Sequence, residues 1–366
     1  MQPKIGCFII PFLLILPVSP IEWSVNISMP FSIDYGIVMK KVYDGYIALV
    51  SSFNLLENKS YGRIIKIDRG GNIEWENKFL TDGNGNMGIC TQNNSYIILF
   101  SCNGKACLTK LNKSGKIEWN KSYEFLFSIK ASRYIINVNG NLIFSLHNLD
   151  IDEESIIVKT DGNGNILWKK YFNYSTGIVG LEDGYVVIEQ PITFCRNYSL
   201  LFKYDFNDIL LWKKRIDGIG YSIYPAINGF ILYHNHTCIK FDKRGNKEWE
   251  KEFEKGIEIS SCSIAKNGYL LAGTKTFPKI EGILIKLDEN GNEIWRKTYF
   301  TRCNIGIFIL RNVGFLYAEE VNDSIIGMLY IDAEPNAIFA YFPPFFILLT
   351  WLSFIETDVV VVKIHV

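Results

Sequence analysis

One stretch recurs along this chain and limits the folds open to it. It reads IKIDRGGNIEW at 65–75, TKLNKSGKIEW at 109–119, VKTDGNGNILW at 158–168, FKYDFNDILLW at 202–212, IKFDKRGNKEW at 239–249 and IKLDENGNEIW at 285–295. A Lys stands nine residues before each Trp, and Asp or Asn stands seven before it. A weaker seventh copy, LYIDAEPNAIF at 329–339, puts Phe339 in the Trp position. Successive anchors are 44, 49, 44, 37, 46 and 44 residues apart. A sustained period of this size marks a stacked or ring-shaped repeat architecture.

A second marker follows each anchor: a turn residue, then an aromatic or apolar run. Examples are DGYIALV (44–50), NSYIILF (94–100), DGYVVIE (183–189), NGYLLAG (267–273) and VGFLYAE (313–319). Each unit therefore supplies four strand candidates. One leads into the Asx–Gly turn, one leaves it, one carries the Lys and one carries the Trp. Four strands in about 44 residues is the size of a propeller blade. No apolar stripe of helical period competes with this pattern.

Within the eleven residues the chemistry reads as structural. In DENGN, Asp288 starts a type I turn and Gly291 closes it, with the Asp side chain accepting backbone N–H groups. A calcium loop is the functional alternative, since DGNGN occurs at 82–86 and 161–165. An EF-hand register from Asp161 fails, because Ile166 and Phe172 fall where Gly and Glu are needed. A large planar side chain at the same place in every blade docks against the next blade and sets the angle between them. The docking set is Trp23, Trp75, Trp119, Trp168, Trp212, Trp249, Trp295 and Phe339. The repeated Lys66, Lys110, Lys159, Lys203, Lys240 and Lys286 are expected to lay their stems over aromatic neighbours with the ammonium reaching water.

Blade counting gives an all-β, eight-bladed propeller of four-stranded antiparallel blades. Trp23, in PIEWSVNI, has no Lys strand before it. FFILLTWLSF (345–354) and DVVVVKIHV (358–366) have no Trp strand after them. The two termini are therefore expected to build the last blade jointly, which pairs otherwise open edges. Seven blades is the alternative, because too few residues separate Phe339 from Pro343–Pro344 for an inner strand.

Bulk properties add constraints. Net charge is +0, so nothing draws the chain to a polyanion such as nucleic acid. The N-terminal run IGCFIIPFLLILPVSP after Lys4 is too short to span a bilayer and suits the apolar core of a secretory signal. Residues 1–19 read as a signal peptide or N-terminal anchor, and 20–366 as one propeller domain. A rival membrane reading is a tail anchor at 337–355, uncharged but interrupted by Pro343–Pro344. N-x-S/T sequons begin at Asn26, Asn58, Asn93, Asn112, Asn120, Asn173, Asn197, Asn235 and Asn322, more than composition would place by chance. Together these point to an extracellular, cell-surface or periplasmic glycoprotein. Cys102 and Cys107 flank NGKA and are placed to bridge a hairpin end.

The D-x-x-G-N/K-x-x-W spacing resembles the tryptophan-docking repeat of the PQQ-like (quinoprotein-like) β-propellers, over the chain from about residue 20 onward. In that superfamily the quinone-dependent dehydrogenases hold their cofactor in the central funnel with Ca²⁺ and a catalytic Asp. This sequence has no adjacent Cys pair and no acidic cluster assignable to a funnel mouth. The resemblance is closer to the plain exported members, and it implies a binding or interaction scaffold without catalysis, cofactor or nucleic acid. An envelope-complex scaffold differs only in its partner. The runner-up is a quinone- or metal-dependent oxidoreductase using the channel. No catalytic residue or Gly-x-Ser-x-Gly or P-loop motif is found.

Partner contacts, protein or glycan, are expected on loops that do not repeat: 79–86, 148–155, 190–197 and 276–282. The densest acidic group there is Asp150, Asp152, Glu153 and Glu154. His234 and His236 are the best metal pair, with Cys238 two residues on, against a plain turn. The expected assembly is a monomer.

Overall fold

The computed structural model describes residues 21–83, 87–150, 154–191, 197–276, 280–299, 301–302, 310–321, 324–333 and 358–365. The first blade shows how sequence becomes sheet. Its inner strand is Ser32–Val42, followed by Gly45–Asn54, Lys59–Asp68 and the outer strand Ile73–Thr81, hydrogen-bonded in that order and antiparallel. The second strand, GYIALVSSFN, is buried on both faces, because a blade is covered by a neighbour on each side. The outer strand IEWENKFLT alternates exposed and half-buried residues, since its rim faces solvent. The same four-strand order recurs at 88–123, 129–172, 175–217, 222–252 and 257–299.

The last sheet is assembled from both ends of the chain. Leu310–Val321 is its inner strand and Ser324–Ala333 its second. Asp358–His365 is the third, and Ile21–Asn26 the outermost. The two-residue strand Thr301–Arg302 adds to its inner edge. Joint closure by the termini is therefore present, but among the described residues it completes a seventh blade, and the seven-blade alternative describes the fold. The eight-blade count divided one blade into two. VGFLYAE lies in the inner strand rather than after a turn, and 329–333 continues the second strand rather than carrying Lys. Phe339 and the strand expected at 345–354 lie outside the described residues, as do 1–20.

A single cross-strand pair identifies each blade. Lys66 faces Trp75, Lys110 faces Trp119, Lys159 faces Trp168, Lys203 faces Trp212, Lys240 faces Trp249 and Lys286 faces Trp295. In the closing blade Lys363 faces Trp23 across the two termini. Seven such pairs make seven blades.

The chain entering the first blade is tied down by a buried polar cluster. Asp34 accepts from Ser32, Ser52 and the Met29 N–H. Arg63 donates to the Ile27 carbonyl at 2.7 Å and to Glu76 at 2.6 Å. Burial drives the Asp34 carboxyl above its usual range, with the hydrogen bonds and Arg63 working the other way.

Antiparallel order gives the ring two unlike faces. One carries the links from an outer strand to the next inner strand and the turns between second and third strands; here it is the link face. The other carries the two remaining turns of each blade, the hairpin face.

Candidate functional site

The repeated residues are spent inside the scaffold. Trp23 packs on Gly71 of the next blade, Trp75 on Gly115, Trp119 on Gly164, Trp212 on Gly245 and Trp249 on Gly291. Indole Nε1 donates to a turn carbonyl of that next blade from Trp23 (Arg69), Trp75 (Lys113), Trp212 (Lys243) and Trp249 (Glu289), at 2.8–3.2 Å. Trp119 differs: its Nε1 is buried without a partner among the described residues, and Tyr123 Oη donates to the Gly164 carbonyl instead. The turns themselves follow the Asx pattern. Asp288 Oδ1 accepts from Asn290 N and Asn292 N, while Asn292 Nδ2 donates to Oδ2. Asp161 is engaged in the same way by Asn163 and Asn165, so that carboxylate is already committed to its turn.

Five of the six repeated Lys, all but Lys110, are buried rather than reaching water, which corrects the sequence expectation. Lys66 is 0% exposed and Lys203 1%. Each Lys is paired with a carboxylate instead. Where Glu precedes the Trp, that residue takes the charge: Lys66 with Glu74 (2.9 Å), Lys110 with Glu118 (3.2 Å), Lys240 with Glu248 and Lys363 with Glu22. Where Leu167, Leu211 or Ile294 stands there, a carboxylate arrives from elsewhere. Lys159 pairs with Asp208 (2.8 Å), Lys203 with Asp183 (2.6 Å) and Lys286 with Glu320 (2.5 Å). Asp208 occupies the turn position held by Gly in other blades, at φ 66°. It also accepts from Trp168 Nε1 and Tyr185 Oη. Burial opposes its charge, but these hydrogen bonds outweigh burial and hold the carboxyl below its usual range.

The other sequence candidates are distributed over the molecule. Cys102 and Cys107 are joined by a disulfide, Cα–Cα 6.2 Å, across the turn after the second strand of blade two. Asp82 accepts from the Asn103 and Gly104 N–H groups of that turn. His234 and His236 flank Asn235 in a tight turn but face different neighbours. The His234 ring lies against Tyr221, and His236 Nδ1 is 2.7 Å from the Ile257 carbonyl oxygen. No group of three His, Cys, Asp or Glu placed to hold a metal occurs among the described residues. Asp150 and Glu154 are occupied locally by Ser128 and Asn148; Asp152 and Glu153 lie outside the described residues.

What does not repeat collects in the central channel, a cavity of about 1120 Å³ lined by the inner strands of all seven blades. Its walls run from Arg133, Tyr134 and Ile223 to the hairpin-face turns at Asn139, Asp183 and Asn228, so the cavity opens as a cup on the hairpin face. One irregularity shapes it. In the inner strand Ile129–Val138, Ala131 faces Leu146 and Ile135 faces Phe144, so four steps on one strand match two on the other. This wide bulge pushes Arg133 and Tyr134 into the lumen, the kind of local re-aiming that bulges permit.

Arg133 reaches past blade four to Ser222 Oγ of blade five (3.1 Å) and lies over the Tyr134 ring. Gly177 of blade four leaves room for this approach: a side chain there would meet Ile223 at 3.0 Å and Tyr134 at 3.2 Å. The guanidinium pKa is raised first by the Tyr134 hydroxyl, against the pull of burial, and then by Tyr224. Tyr224 Oη donates to the Ser260 carbonyl (3.0 Å), and the adjacent Ser261 Oγ is buried with no hydrogen-bond partner. Nearer the mouth of the cup, burial depresses the Lys40 pKa, with Cys90 and Glu319 opposing it. Burial pushes the Cys90 and Cys262 thiols up to about 12, which keeps them protonated and unreactive. Arg133 lies outside the repeated stretch, and no motif in the sequence singles it out.

No family model and no curated protein matches this sequence. Solved structures do. The Neurospora crassa Pan2 WD40 domain is similar at 8% identity and TM-score 0.54, covering 94% of this chain and 95% of that one. The β-propeller domain of the trilobed protease from Pyrococcus furiosus, described with an open velcro topology, is similar at 10% identity and TM-score 0.50, covering 86% and 99%. A quinoprotein alcohol dehydrogenase-like protein from Bacteroides thetaiotaomicron has 10% identity and TM-score 0.47, covering 72% and 66%. At such identities the likeness is one of fold, and it agrees with the sheet order: this chain is a β-propeller.

Proposed function

We propose that the protein is an exported binding propeller of the PQQ-like repeat type, which holds a ligand in its central cup without transforming it. The observation that carries this reading is a division of labour. The repeated charges and indoles are consumed in holding blades together, while Arg133, Tyr134, Tyr224 and Ser261 converge in the channel. On a repeated scaffold, function belongs to residues that depart from the repeat. The lining offers a guanidinium, hydroxyls and protonated thiols, groups suited to holding a ligand.

Export is supported by where the sequons fall. Exposed Asn26, Asn58, Asn173, Asn197 and Asn235 all sit on the link face, exposed Asn93 on the hairpin face and exposed Asn120 on the outer rim. The loops expected to meet a partner share that link face, where glycans would compete with them. The cup opens on the opposite side, and the proposal therefore puts the ligand there. The competing reading is turnover of a substrate in the same cup.

One experiment addresses both parts. The protein is recovered from the medium of a glycosylating host, incubated with an extracellular metabolite pool and weighed by native mass spectrometry. The expected species is a monomer that lacks its first residues, carries glycans and retains a small molecule of unaltered mass. Intracellular, unmodified protein would overturn export, and release of a chemically altered molecule would overturn the non-catalytic reading.

A further inference from the structure

This inference rests on the binding reading above and names the class of ligand. The repeated cations of this chain follow a rule. Every repeated Lys, in all seven blades, has a carboxylate at ion-pair distance. An unpaired buried charge is costly, so the rule has a clear physical origin. Arg133 breaks it. Its neighbours are Ser222 and two tyrosines, and no carboxylate pairs with it among the described residues. The carboxylates that line the cavity are Glu182, Asp183 and Glu319, all at the hairpin end of their strands, and Asp183 already holds Lys203.

A second, independent observation concerns the same cavity. Ser261 is 7% exposed, lines the same cavity and leaves its hydroxyl without a partner. It follows Ser260, whose carbonyl receives the Tyr224 hydroxyl, and Tyr224 is one of the two tyrosines acting on Arg133. A planar cation and an unsatisfied hydroxyl thus line the same cavity, linked through Tyr224. From this geometry we infer that the inner end of the cup binds an oxyanion of a small ligand, a carboxylate or a phosphate group. The guanidinium fork takes two oxygens, and Ser261 donates to one of them. The apolar walls, including Ile37, Ile89 and Ile136, take the ligand body.

The test uses the full chain and defined probes. Inorganic phosphate, malonate and chloride are titrated separately at constant ionic strength, and binding is followed by thermal shift and calorimetry. Saturable binding of phosphate, malonate or both, beyond the chloride response, is expected; the pattern tells which oxyanion the site takes. Arg133→Gln is expected to weaken it by about tenfold or more, the loss of one charge-assisted contact. Ser261→Ala, which removes a hydroxyl that bonds nothing in the free protein, is expected to fold as wild type and still weaken binding. Responses equal to chloride, or affinity unchanged in both variants, would overturn the assignment. If Arg133→Gln does not fold, Ser261→Ala decides alone. A neutral ligand retained in the native mass spectrum, with no response to either anion, would sink the oxyanion assignment and leave the binding reading standing.

Discussion

Seven lysines side by side with seven aromatic rings make a costly design, and the carboxylates show how it is stabilised. Glu74, Glu118, Glu248 and Glu22 lie one residue before their Trp, so those pairs are legible in the sequence as the E of IEW and KEW. The other three are not legible. Asp208 belongs to the next blade's turn, and Glu320 stands 34 residues beyond Lys286. No local pattern links them, because the compensation is three-dimensional. Asp208→Gly restores the Gly of other blades but strands Lys159, which is 5% exposed at its side chain. The expected cost is about 3–5 kcal/mol in denaturant unfolding. Adding Leu167→Glu writes the missing IEW-type carboxylate back and is expected to recover most of it. A double variant no more stable than Asp208→Gly would refute interchangeable pairing.

At the level of the element, the Asx–Gly turn has two jobs. The sequence shows the first, a tight connection between the third and outer strands. The second appears only when blades are set beside each other: the turn Gly is the surface on which the preceding blade's indole lies. Gly115 has φ +79°, and a Cβ there would stand 2.7 Å from Trp75 Cδ2. Gly140 has φ +83° with nothing within 4 Å of the same added atom. Gly140→Ala therefore carries only the backbone cost, about 1–2 kcal/mol. Gly115→Ala carries that cost and about 1–3 kcal/mol more from overpacking. In a Trp75→Ala background the excess should vanish, and a double-mutant cycle on unfolding free energies measures it. An excess that persists without the indole would mean that Gly is there for the turn alone.

At the level of the whole molecule, the ring was legible and its closure only partly so. The repeat period announced blades, and Trp23 and Lys363 announced that the termini meet. The sequence suggests one blade too many because the last blade lacks the Asx–Gly signal between its inner strands, so 313–319 reads as a strand after a turn although it lies in the inner strand. The channel stayed hidden for a different reason. It depends on a two-residue excess around Arg133, and a bulge leaves no mark in hydrophobic periodicity. Closure also makes a testable difference between blades. Outer strands of blades one to six are tied to their third strands by a turn, whereas Ile21–Asn26 is held to Asp358–His365 by strand pairing and the Lys363–Glu22 ion pair, with no turn between them. Trp23→Ala removes its contact with Gly71 and the bond to Arg69, on the order of 2 kcal/mol of burial. Hydrogen exchange at 21–26 and 358–365 should rise more than exchange at 247–252 does in Trp249→Ala. Equal increases would show that the seam is no weaker than a covalent turn.

Each of the docked indoles leans the same way round, onto the blade that follows. A linear array of repeats has a last member, which can melt while the rest survive. A belt has none, and this one is fastened by a six-residue buckle, IEWSVN. Heat, denaturant or a protease therefore has one economical point of attack. Once the buckle slips, the seventh blade loses its outer cover and the first loses the indole resting on its turn. Loss then passes from blade to blade in both directions, so the protein should be found whole or lost, with few intermediate lengths of folded ring.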